Sequence, residues 1–153
     1  MIYDHEIIPQ AIALPNSFVG LMALYESNYL KLMELIPDIK NYENSKIIEA
    51  AGEESIYLTV FERTKYTISF SMTYIFESQN GAYLDPNIKV KVYFDGSLAE
   101  VLSINEKQNK NELMKLMDQN KRIISALWKK NIVFNKWLEH ILDKNYLVSN
   151  SAF

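Results

Sequence analysis

The sequence predicts an α+β fold: an N-terminal helix, about five strands in a mostly antiparallel meander, and C-terminal helices packed on the sheet. Three observations predict it. Apolar residues recur at helical spacing before Pro37, the period falls to two between Lys46 and Ile104, and helical spacing returns towards Tyr146.

Residues 1–14 carry no clear periodicity and read as a loosely held arm, 15–148 as a single domain and 149–153 as a tail. Asn16 or Ser17 can cap a helix whose apolar stripe is Phe18, Leu21, Met22, Tyr25, Tyr29, Leu32 and Ile36, and Pro37 stops it. A weak strand is expected near Lys46–Ala51. Ile56, Leu58 and Val60 then alternate with Tyr57, Thr59 and Phe61, and the clearest strand follows at Tyr66–Phe76. An odd loop around Arg63–Lys65 would set Val60 opposite Ile68 and Leu58 opposite Phe70, apolar against apolar. A longer connection holding Asn80-Gly81 and Asp85-Pro86 leads to Ile88, Val90, Val92 and Phe94. Asp95-Gly96 reads as a two-residue turn with positive φ at both positions, pairing Val92 with Ala99, Lys91 with Glu100 and Val90 with Val101. Beyond the polar residues 105–111, one unbroken helix to Tyr146 would be roughly 55 Å long, so a break is expected near Lys129–Asn131. The last helix would bury Phe134, Trp137, Leu138, Ile141, Leu142 and Tyr146.

At 153 residues, 48% apolar and 23% charged, the chain suits one hydrophobic core and is neither disordered nor fibrous. It has no cysteine, which removes disulfides, thiol nucleophiles and thiolate metal sites and fits a reducing compartment. Met1–Pro15 lacks the basic start of a secretory signal, and no stretch reaches the roughly 20 apolar residues of a membrane span, so a cytoplasmic protein is expected. Residues 1–104 hold 7 Lys/Arg against 14 Asp/Glu, whereas 105–153 hold 9 against 5. Two regions of one fold that attract each other explain this asymmetry; a cationic surface for an acidic partner is the alternative.

The chain resembles the YqiB-like family of small bacterial proteins of unknown function, from roughly Phe18 to Leu147. The resemblance rests on Leu32 to Pro37, on Glu62-Arg63-Thr64-Lys65-Tyr66-Thr67, on Val90-Lys91-Val92-Tyr93-Phe94-Asp95 leading into Ala99-Glu100-Val101, and on Asn131 to Trp137-Leu138. Phe94 stands where the family usually has His, and Ser125-Ala126-Leu127 where it usually has Asp-Glu-Lys. The resemblance implies a cytosolic α+β protein and carries no activity with it.

Chemistry is sparse. His5 and His140 have no companion at ligand spacing, so no metal site is expected, and the four glycines form no phosphate loop, so no cofactor is expected. No nucleophile elbow occurs either. There is no catalytic assignment; Glu62, read as in phase with the apolar face, could converge with Asp95 and Glu100 at neighbouring turns, with Thr64, Lys65 and Tyr66 beside them. The plainer roles are a turn for Asp95, a cross-strand pair with Lys91 for Glu100, and a backbone or Lys65 contact for Glu62.

The outer sheet face is the stronger candidate. It would present Tyr57, Thr59, Phe61, Lys89, Lys91, Tyr93, Leu98 and Leu102, aromatics and cations together, unless a helix at Asn111–Trp128 covers it or its lysines merely guard against aggregation. A second basic surface is Lys121, Arg122, Lys129, Lys130 and Lys136 with Trp128 and Trp137, which ordinarily is only the wet side of helices. The expected function is a binding or adaptor module for a protein partner, the acidic balance arguing against nucleic acid; the alternative is a small enzyme or small-molecule binder at the hairpin ends.

Overall fold

The structure, a computed structural model, describes residues 17–78, 81–104 and 120–148, with backbone alone at 75–78, 81–86 and 120–123. The expected N-terminal arm, residues 105–111 and the 149–153 tail lie outside the described residues.

Helix α1 (Phe18–Leu35) starts at Ser17, whose Oγ accepts from the Gly20 N–H at 3.0 Å. It ends before Pro37, with the Ile36 N–H bonded to the Leu32 carbonyl at 2.7 Å. Its buried face is rotated from the expected stripe. Phe18 is 65% exposed, while Leu24, Ser27, Asn28, Lys31 and Leu35 join Leu21, Tyr25 and Leu32 inside. A 3₁₀ turn at Ile39–Asn41 leads to β1 (Ser45–Glu49), β2 (Ile56–Arg63), β3 (Thr67–Ser78), β4 (Gly81–Tyr93) and β5 (Leu98–Ile104). Helix α2 (Asn120–Asp143) and a two-residue strand, β6 (Leu147–Val148), complete the described chain. The sheet has six strands, not five, in the order β5-β4-β3-β2-β1-β6, and every pairing is antiparallel.

The first hairpin keeps the expected matching of apolar residues but by another device. Val60 faces Phe70 and Leu58 faces Met72, two residues away from the expected register. Its inner pair is Arg63 with Ile68, and the Thr64 N–H bonds the Thr67 carbonyl at 3.0 Å, so an even number of residues closes the turn. An even closure alone would set apolar against polar. The β-bulge at Phe61 inserts one residue and restores the match. It also turns Glu62, expected on the apolar side, to the outer face opposite Ser69.

The second hairpin has the expected register, Val92 with Ala99, Lys91 with Glu100 and Val90 with Val101. The turn is wider than a two-residue loop: Tyr93 pairs with Leu98, and positive φ falls on Ser97 (55°) rather than on Asp95 or Gly96. Much of the expected long connection is instead strand, because β3 and β4 stay paired as far as Ser78 with Gly81. Pro86, which has no N–H to donate, lies where the ladder slips between Thr73 and Ile75.

Both helices pack on the inner sheet face. Leu32 and Leu35 from α1, Ile36 at its C-terminal cap, and Phe134, Leu138 and Ile141 from α2 share one core with Ile56, Leu58, Ile68, Phe70, Met72, Ile88, Val90 and Val92. Burying each large apolar side chain contributes about 2 kcal/mol before entropy is counted. The expected break at Lys129–Asn131 is absent, because Asn131 is fully buried inside a continuous helix and its amide has partners there. The helix is about 36 Å long. Of the helix expected at Asn111–Trp128, residues 120–128 belong to α2 and 111–119 lie outside the described residues; no described element covers the outer sheet face. No helix of the described residues is long and apolar enough to cross a membrane.

Candidate functional site

Two polar arrangements stand out, one between the helices and one on the outer sheet face. The first is a buried seam. Asn131 Oδ1 accepts from the Val101 N–H at 2.9 Å and from Asn28 Nδ2 at 3.1 Å, and Asn28 Nδ2 also reaches the Ala99 carbonyl at 3.3 Å. Asn135 Nδ2 donates to Asn28 Oδ1 at 3.0 Å and to Ser27 Oγ at 2.9 Å. Lys31 Nζ donates to Asn135 Oδ1 at 2.7 Å and to Glu139 Oε1 at 2.6 Å. Two helix asparagines thus satisfy the free edge of β5, which could otherwise template a further strand. Burial on its own would push the Glu139 carboxyl up, yet the Lys31 and Lys136 ammonium groups hold it below the usual carboxylate range.

Between the acidic first part of the chain and its basic last part the ion pairs run in both senses: Lys144 Nζ lies 3.8 Å from Glu53 Oε1, whereas at Lys31–Glu139 the first part supplies the cation. From the sequence, Asn131 stands out only as part of an expected helix break, and the other seam residues do not stand out as a polar cluster. Their signal is in the spacing: Asn131, Asn135 and Glu139 recur every fourth residue beside the apolar stripe, and on α1 Lys31 follows Ser27 by four residues and Asn28 by three, which puts all three on one side of that helix.

On the outer face, lysine and aromatic side chains are paired. Lys89 Nζ lies 5.8 Å from the centre of the Phe61 ring, Lys91 Nζ 5.3 Å from Tyr93 and Lys65 Nζ 5.2 Å from Tyr66. Lys89 stands on β4 and Phe61 on β2, so this pair spans the intervening β3, whose Ser69 is buried beneath the face. Tyr57, Lys91 and Tyr93 are half-buried, while Phe61 and Tyr66 are 52% and 51% exposed. Glu100 accepts from the Tyr93 hydroxyl at 2.5 Å. Desolvation, then the hydrogen bond to Glu100 and its charge, push the Tyr93 phenol up to about 12; burial and the same carboxylate raise Tyr25 to about 12.

The hairpin ends are adjacent, joined by the Phe94 N–H bonded to the Tyr66 carbonyl at 2.9 Å. Their polar side chains have structural duties. Arg63 donates to the carbonyls of Tyr42 and Lys40, tying β2 to the 3₁₀ turn, and Thr64 Oγ1 accepts the Thr67 N–H at 3.1 Å. Glu62 on β2 and Asp95 in the turn between β4 and β5 are both exposed, without the burial that would divide them into an acid and a base. Phe94 lies beneath the Lys40 ammonium at 5.9 Å, and Ser125–Leu127 lie within α2. His140 is exposed, and no group of three metal-ligating side chains occurs among the described residues.

The fold and the face therefore define a two-layer α+β domain with one side of its sheet uncovered by the described chain. Over residues 31–147 the chain matches the family described as protein of unknown function DUF1249, and it belongs to that family. No curated protein and no solved structure matches it.

Proposed function

We propose that the protein is a cytoplasmic binding module whose outer sheet face takes an extended acidic segment of a protein partner. The observation that carries this reading is the asymmetry of the sheet. Its inner face is buried under both helices, whereas its outer face holds Lys65, Lys89 and Lys91 against the rings of Tyr66, Phe61 and Tyr93, with Tyr57 alongside. Cations seated on aromatic faces offer an acidic chain charge and apolar contact together. The cysteine-free composition and the resemblance to YqiB-like proteins support the compartment. A carboxylate pocket at the hairpin ends, the enzyme or small-molecule reading, is less well supported because Glu62 and Asp95 stand in water.

Poly-L-glutamate titrated into the isotope-labelled protein tests the reading by nuclear magnetic resonance. Amide shifts should gather at Phe61, Lys89, Lys91 and Tyr93, and replacing both Lys89 and Lys91 by Glu should remove them. Shifts gathered instead at Lys129, Lys130 and Lys136 would move binding to the basic side of α2, and the sheet-face reading would fall.

A further inference from the structure

We infer that the protein pairs with a second copy of itself through its helical layer, the solvent side of α1 in one protomer lying along the solvent side of α2 in its partner. This goes beyond the reading above and does not depend on it, because the outer sheet faces stay open on the two outsides of such a pair.

Helix α1 is apolar on more than its buried side. Leu21, Leu24, Leu32 and Leu35 are in the core, yet Phe18, Val19 and Leu30 are 65%, 61% and 55% exposed. Val19, Ala23, Glu26, Leu30 and Glu34 follow one another at steps of three or four residues and so form one stripe down the solvent side. Only the two glutamates in that stripe carry charge. Among the described residues, α2 and β5 meet this helix on the side of Asn28 and Lys31. A helix that is apolar on two sides ordinarily has a partner on each.

Helix α2 offers the matching side. Lys129, Val133, Lys136 and His140 are exposed at steps of four, three and four residues, Val133 by 53%. The stripes are complementary in order: Glu26, Leu30 and Glu34 on α1 against Lys129, Val133 and Lys136 on α2. Glu26, Glu34 and Lys129 take part in no ion pair among the described residues. Lys136 meets Glu139 at 3.5 Å, but its side chain is 67% exposed.

The two stripes also stand at the same levels. Asn28 bonds Asn131 and Asn135, and Lys31 bonds Asn135 and Glu139, so α1 and α2 run side by side in the same direction. A two-fold axis parallel to both helices, above the groove between them, lays α1 on the partner's α2 without changing these levels. Glu26 then stands at the partner's Lys129, Leu30 at the partner's Val133 and Glu34 at the partner's Lys136. The same three contacts recur on the other side of the axis. Glu26 to Glu34 spans about 12 Å and Lys129 to Lys136 about 10.5 Å, a difference that flexible lysine side chains absorb. An axis across the helices would instead set one acidic stripe on another.

The test is sedimentation velocity of the full chain between about 1 and about 200 μM, with circular dichroism to check that each variant folds. A dimer is expected with a dissociation constant on the order of 10 μM. Leu30→Glu and Val133→Glu should each raise it at least about tenfold, and Glu26→Lys and Lys129→Glu each about fivefold. Mixing the Glu26→Lys chain with the Lys129→Glu chain should recover the parental constant within about twofold, since opposite charges then face each other only across the interface. A chain that stays monomeric to about 200 μM, or a dimer untouched by Leu30→Glu and Val133→Glu, would overturn the inference and leave this face to a different protein. A dimer that both apolar variants weaken, but whose charge variants do not recover on mixing, would overturn the laying of α1 on α2.

Discussion

The two faces of the sheet treat polar groups in opposite ways. Against the inner face, Asn28, Lys31, Asn131 and Asn135 are almost wholly buried and are held in one connected set of hydrogen bonds. On the outer face, Lys65, Lys89 and Lys91 rest on aromatic rings at the surface. A buried polar group without its partner costs far more than a surface contact contributes, so the seam determines how α1, α2 and β5 align. The outer pairs cost little to rearrange, as suits a surface that must exchange its own contacts for those of a partner.

That contrast can be broken most directly at Asn131. Replacing it by Ala strands the Val101 N–H and removes an acceptor from Asn28, and should cost about 3 kcal/mol in urea unfolding. A loss below about 1 kcal/mol would show that water replaces the side chain and that the seam does not set the alignment. A smaller effect concerns Glu139, whose carboxyl is held below its ordinary value of 4.5. A lowered pKa in the folded state contributes stability above the unfolded value, and that contribution is lost as pH falls through the folded one. Glu139→Gln should thus be less stable than the parent by under about 1 kcal/mol at neutral pH, because the group is partly exposed, with the gap closing as pH falls below the ordinary carboxylate value. A gap that stays constant into acid would mean that charge is not what binds Glu139 to Lys31. The smallest change belongs to the outer face, where Lys91→Gln should shift stability by less than about 0.5 kcal/mol. A larger loss would make that face part of the scaffold.

Much of this arrangement is legible from residue order, and the failures have definite causes. The register of β4 on β5 follows from alternation, because a slip of one residue would send Val90 and Val92 to the wrong side. The same rule requires Val60 and Leu58 to face apolar partners, but a bulge adds a residue without changing local propensity, so an odd loop and an even closure with a bulge look alike from the sequence. That ambiguity hid both the true register and the outward position of Glu62. At Lys129–Asn131 a polar cluster resembles a helix end. In the fold, the Asn131 amide meets the edge of β5 and the helix runs on. The aromatic and basic residues of the outer face were legible as a set; which of them share a row across the sheet needed the pairing of five strands.

Taken alone, the amino-acid order determined the α+β plan, the capped start and proline stop of α1, and which side of each central strand turns inward, since these depend on local periodicity and on neighbours a few residues away. Tertiary structure decided which way α1 is rotated, that its polar residues meet those of α2, and that two bulges interrupt the pairing of the sheet at Phe61 and Leu102. Those outcomes depend on hydrogen bonds and packing between residues as much as about a hundred positions apart, and such distant partners leave no mark on local spacing.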